Sequence, residues 1–168
     1  DERDAAWLAK LAAYFEEFGL DGSEARTVNL TPFDETMCAL VEELKPEVVS
    51  FHFGLPAAAL VDRVKATGRA VISSATTVAE ARWLEARGCD AVIAQGYEAG
   101  GHRGMFLSDD LAGQTGTMAL VPQVVDAVGV PVIAAGGIGD GRGIAAAFAL
   151  GVHAADTGDD AGVGIFIK

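Results

Sequence analysis

The stretch Val130-Pro131-Val132-Ile133-Ala134-Ala135-Gly136-Gly137-Ile138-Gly139-Asp140-Gly141-Arg142-Gly143, continuing as IAAAFAL to Gly151, decides the fold. Residues 130–135 form an uncharged run of strand length, and the paired glycines end it. Asp140 then stands where a helix N-cap belongs, and Gly151 stands where a left-handed C′ residue closes a helix. The stretch is therefore a strand, a tight turn and a helix. The strand is apolar throughout rather than alternating, the pattern of a parallel sheet covered on both faces.

The same unit recurs upstream. Ala91–Ala94 reads as a strand, followed by a glycine-rich loop from Gly96 to Thr117 and a helix from about Leu120 to Val128, with Pro122 in its first turn. Ala70–Ser73 is a strand leading to a helix opened by Thr77 and Glu80, a T-x-x-E box expected to satisfy amide donors reciprocally, and stopped by Gly88. Glu47–Phe51 is a strand, and the Gly54-Leu55-Pro56 turn feeds a helix over Ala57–Ala66. Two helices precede these units, Ala5–Phe18 closed by Gly19 and about Asp34–Leu44 ended by Pro46. Residues 20–32 between them are polar and turn-rich, as in a surface excursion. The expected organisation is an N-terminal helical excursion over 1–46, a βα body over 47–151 and a tail over 152–168. Trp7, Phe15, Phe18 and Trp83 lie on helical faces and are expected to pack. Four units of ~20–25 residues fit either an open doubly wound sheet or about half of a (β/α)8 barrel.

Composition narrows the function classes. The 168 residues carry 24 acidic against 12 basic side chains, a net charge of −12, which argues against nucleic acid and anionic membrane surfaces. The longest uncharged run, Leu111–Val125, has 15 residues and contains Pro122. A membrane-spanning helix needs about 20 apolar residues, so no span is expected. No leader pattern opens the chain. Cys38 and Cys89 lack metal or redox spacing and read as reduced structural thiols, pointing to the cytoplasm. His52, His102 and His153 show no i, i+4 pairing, so no metal site is expected.

In either architecture chemistry gathers at the C-terminal ends of the strands. The segment Ala94–Gly104, AQGYEAGGHRG, is the most unusual there, with glycines at 96, 100, 101 and 104 around His102. Glycines without Cβ atoms suit close approach of backbone to a ligand, and His102 is a candidate acid–base or ligand-binding group. Gly136-Gly137 before a helix start offers free amides and a positive dipole end, a setting for phosphate that is neither a Rossmann fingerprint nor a P-loop. His52, Ser73 and Ser74 point to the same rim and read as polar groups that satisfy the backbone.

Together with VVSFHFGLP (Val48–Pro56), LVPQVVDAV (Leu120–Val128) and VPVIAAGGIGDGRGIAAAFALG (Val130–Gly151), AQGYEAGGHRG resembles the nitronate monooxygenase family, FMN-dependent enzymes once called 2-nitropropane dioxygenases. The resemblance implies a (β/α)8 barrel, of which this chain holds about half, and oxidation of alkyl nitronates or nitroalkanes by O2 to carbonyl compounds and nitrite. It implies that Gln95, Gly100 and Gly101 lie against FMN, that Gly136 and Gly137 hold its phosphate, and that His102 is the active-site histidine. The chain departs from the pattern in starting after the family's third strand. It also has Asp156-Thr157-Gly158-Asp159 where the family has Gln-x-Gly-Thr, which sets carboxylates beside a phosphate. From these departures this chain alone is expected not to be an active flavoenzyme, and an open half-barrel is expected to cover its strand edges by oligomerising. Flavin-dependent enoyl-[acyl-carrier-protein] reductases, which tend to have Glu at the Gln95 position, and NADH:quinone reductases are the alternative enzymes. A flavin-free fragment is the alternative of another class.

Overall fold

A computed structural model of the chain describes residues 2–21, 31–156 and 165–166. Two compact units are present, residues 1–32 and 33–168. In the first, helix α1 (Glu2–Glu17) ends as expected at Gly19, which takes a left-handed φ of 61°. Trp7, Leu11, Tyr14 and Phe18 of this unit are exposed, so the packing expected for Trp7 and Phe18 is not found. Most of the expected surface excursion, residues 22–30, lies outside the described residues.

The second unit begins with α2 (Glu35–Leu44), which therefore groups with the sheet. Asp34 caps it, its carboxylate accepting from the Met37 amide at 3.0 Å. Among the described residues the sheet has six strands in sequential order: β1 (Val48–Phe51), β2 (Ala70–Ala75), β3 (Ala91–Gln95), β4 (Val132–Ala135), β5 (Ala154–Asp156) and β6 (Ile165–Phe166). The first five pair in parallel and β6 runs antiparallel to β5. Helices α3 (Ala58–Ala66), α4 (Val78–Glu85), α5 (Thr117–Val125) and α6 (Gly141–Ala149) connect successive parallel strands. Val71, Val92 and Val132 from the strands are fully or almost fully buried against Val64, Leu84, Leu120 and Val124 from the helices. Each such side chain contributes about 1.5–3 kcal/mol by leaving water.

Four expectations change. Among the described residues the parallel strands number five, not four: Ala154–Asp156 pairs with β4, although it falls in the segment read as tail. β1 is not covered on both faces; Val49 and Phe51 are buried while Val48 and Ser50 are exposed. Helix α5 starts three residues earlier than expected, so Pro122 sits in its second turn. Its first amide is capped by Glu98, 19 residues upstream, and that distant acceptor moves the start. The T-x-x-E box is half formed: the Thr77 hydroxyl accepts from the Glu80 amide at 3.2 Å, but the Glu80 carboxylate turns elsewhere. Among the described residues no helix is long and apolar enough to cross a membrane.

Candidate active site

The C-terminal ends of β2 to β5 surround a cavity of about 530 Å³. Ser74, Ile93, Gln95, Ala135 and Asp156 reach it from the strands. Register explains the grouping, because Gln95, Ala135 and Asp156 are successive partners across β3, β4 and β5. Ala99–Gly100 and Gly136–Gly139 close it from the loops. The structure thus brings Gln95, Gly100, Gly136 and Gly137 together, and leaves Gly101 and His102 outside the lining, on the outer limb of the same loop.

That loop is pinned by side chains. The Gln95 side-chain amide donates to the His102 carbonyl at 3.0 Å, and its oxygen accepts from the Gly104 amide at 2.7 Å. His52 Nε2 lies 3.1 Å from the His102 carbonyl, and His52 Nδ1 lies 3.2 Å from Ser74 Oγ. Ser73 Oγ donates to the Gly54 carbonyl at 3.0 Å, so His52 and both serines serve the rim's own framework. Arg103 donates to the carbonyls of Gln95 and Gly96 at the end of β3. The His102 imidazole is exposed, with the Phe53 ring edge-on at 6.0 Å and the His52 ring 4.4 Å from Phe53. Phe53 holds this place at a left-handed φ of 63°, a conformation that costs a side-chain-bearing residue about 1–3 kcal/mol. His153 belongs elsewhere, accepting from the Val132 amide at 3.3 Å. Among the described residues no three His, Cys, Asp or Glu side chains converge as a metal site.

Two glutamates anchor the rim, Glu98, which sequence reasoning passed over, and Glu80, which it read only as part of the T-x-x-E box. Glu98 accepts from the Thr117 amide and hydroxyl at 2.7 and 2.9 Å, and the amide bond above all holds its carboxyl below the usual range. Glu80 is 1 % exposed, with one oxygen on the Thr76 amide and hydroxyl and the other on the amides of Phe106 and Leu107. Thr117 lies 19 residues from Glu98, and Phe106 and Leu107 lie 26 and 27 residues from Glu80, so these links across the rim were not visible beforehand. Burial also pushes the Cys89 thiol up to about 11, in keeping with a structural role.

The glycines separate into two groups. A Cβ at Gly96 would fall 1.9 Å from Thr117 Oγ1, and one at Gly104 would fall 2.7 Å from the His52 ring. Gly136 and Gly137 have φ of 126° and 67°, and their Cβ positions meet Thr117, Ala99 and Glu98. These four are required by the protein's own packing. A Cβ at Gly100 would meet nothing within 4 Å, although Gly100 lines the cavity. Small-residue walls and a glycine left open to the cavity fit a flat flavin ring. In the first turn of α6, Asp140 accepts from the amides of Arg142 and Gly143.

Residues 2–160 match the family model described as nitronate monooxygenase. A curated nitronate monooxygenase from Paraburkholderia phytofirmans is 47% identical over 154 residues, covering 90% of this chain and 42% of the relative. The crystal structure of a nitroalkane oxidase from Streptomyces ansochromogenes superposes with a TM-score of 0.79 at 37% identity, over 92% of this chain and 45% of that one. FabK from Thermotoga maritima gives 0.62 at 40% identity, over 76% and 38%. The chain spans less than half the length of these relatives. With the five parallel strands, the rim loop and a match over almost its whole length, the chain belongs to the nitronate monooxygenase family.

Proposed function

We propose that the chain carries the flavin- and substrate-facing rim of an FMN-dependent nitronate monooxygenase, acting with O2 on alkyl nitronates or nitroalkanes to give carbonyl compounds and nitrite. The observation that carries this reading is the cavity, where Gln95 and Gly100 from the end of β3 and Gly136 and Gly137 from the end of β4 converge beside the His102 loop. Bound FMN would supply the electron-transfer and oxygen chemistry. The protein's share is positional. Gln95 and Gly100 would flank the ring, Gly101 would let the loop turn away from it, and the Gly136-Gly137 turn would face the phosphate. His102 is held by its backbone carbonyl rather than its ring, so the imidazole is left available at the rim to take a proton from a nitroalkane or donate to a nitronate.

The test, made on a complete protein carrying this segment, is nitrite release in air, with FMN supplied, from a nitroalkane and from its preformed nitronate. His102→Ala should lower nitroalkane turnover by ~10²-fold or more and nitronate turnover much less, since the nitronate needs no deprotonation. Equal losses on both substrates would remove the base role. NADH consumption with an enoyl thioester, without nitrite release, would transfer the reading to the reductase branch.

A further inference from the structure

Phe53, in the turn after β1, is 54% exposed and stands outside the core. Its backbone nevertheless holds a left-handed φ of 63°, and the next residue, Gly54, has a φ of 87°. Glycine takes such a conformation freely, whereas a residue with a Cβ takes it at a cost. The turn is locked in that shape. Ser73 Oγ donates to the Gly54 carbonyl, and a Cβ at Gly54 would fall 3.1 Å from the Phe106 ring. The neighbour of the phenyl ring is fixed as well. The His52 ring, 4.4 Å from it, has one nitrogen against Ser74 Oγ and the other against the His102 carbonyl. The exposed His102 imidazole lies 6.0 Å from the same phenyl ring. The fold thus holds a strained residue whose apolar ring is left half in water beside the candidate base. Strain of that kind, without burial in return, belongs to a surface that meets a ligand.

His102 has to hold the substrate's head group within about 3.2 Å of its ring, whether it takes a proton from a nitroalkane or donates to a nitronate. The first carbons of the alkyl chain then have the Phe53 ring within contact reach, and contact removes apolar surface of both from water. We infer that Phe53 is a specificity-determining residue, its ring being the wall on which the substrate's alkyl chain lies, so that selectivity rises with chain length. The inference rests on the function proposed above and names the residue that reads the chain.

The experiment measures nitrite release, by a complete protein carrying this segment and with FMN supplied, from the preformed nitronates of nitroethane, 1-nitropropane, 1-nitrobutane and 1-nitropentane. Full burial of a methylene is worth about fourfold, and an open ring covers only part of it, so kcat/KM should rise about twofold per methylene and about eightfold over the series. The rise should lie in KM, because a contact to the unreacting chain binds ground and transition states alike. Phe53→Ala should cut the rise over the series to about twofold or less. Phe53→Gly, free of strain at this φ, is made in parallel, so that the slope is read from whichever variant keeps the wild-type circular dichroism. The wild-type series stands without either variant. Nitrite release that does not rise with chain length in the wild type, or that rises equally without the ring, would overturn the inference and leave the proposed activity intact. Failure of the wild-type protein to release nitrite from any of the four would overturn the proposed activity, and the inference with it.

Discussion

The loop after β3 and the turn after β4 are both rich in glycine, and they are held in opposite ways. The first is an excursion fixed by distant side chains: Gln95, His52, Glu98 and Glu80 all bond to its backbone or to the residues it ends on. The second is local, built from two left-handed glycines and the Asp140 cap that closes back on its own helix. The two also interlock, because the Cβ missing from Gly136 leaves room for Ala99 and Thr117. Glycine content alone therefore does not mark a ligand. A glycine demanded by the protein's packing says nothing about what binds, whereas Gly100, open at its Cβ position and lining the cavity, leaves room for a ligand.

Substitutions should separate the two kinds. The largest effect is expected at Gly96→Ala, where the new methyl would collide with Thr117 side chain and backbone; urea denaturation should show a loss of about 3 kcal/mol or more. A variant within 0.5 kcal/mol of wild type would mean that the loop and α5 do not interlock as described. Glu80→Gln comes next. It replaces an acceptor by a donor facing amide and hydroxyl donors and should cost about 2 kcal/mol in the same measurement. Phe53→Gly should move stability the other way, by about 1 kcal/mol, because glycine accepts the left-handed backbone and Phe53 is 54% exposed. A clear loss instead would show that the ring's packing outweighs the strain.

Glu98 provides a pH-dependent comparison. Its folded-state pKa lies below that of the unfolded chain, so its contribution is fully present above the usual glutamate value of about 4.3 and is lost as pH falls through the folded value. Stability curves of wild type and Glu98→Gln should therefore differ near neutrality and converge in acid; parallel curves down to low pH would remove Glu98 as the α5 cap. The smallest effects are expected at Gly100→Ala and His102→Ala, both within about 0.5 kcal/mol. Gly100 has space for a methyl, and the bonds at His102 go to its backbone carbonyl. Any defect these two show in flavin or substrate handling can then be read as function rather than fold.

What was legible in the sequence follows the range of the forces involved. β2, β3 and β4 and the caps Asp34, Thr77 and Asp140 depend on residues within a few positions, and they were found within one or two residues at most termini. The start of α5 was not, because its acceptor is Glu98 rather than a residue at the N-cap, which is Gly116. β5 escaped because Ala-Ala-Asp has no β-branched residue and its strand identity comes from pairing with Ile133, Ala134 and Ala135. At the site, the residue types around the cavity could be read. That Gln95 uses its amide to hold the Gly101–Gly104 limb could not, since both its partners are backbone groups.

Glu80 gives the rim a property that its irregular backbone would not suggest. The amides of Phe106 and Leu107 belong to no helix or strand, yet both end on a carboxylate with 1 % exposure. In deuterated solvent these two protons should exchange on the timescale of the core strands rather than that of a surface loop. Slow exchange there would divide the segment after β3 dynamically. The limb bearing His102 would be left to move, while the limb from Phe106 onward keeps time with the sheet.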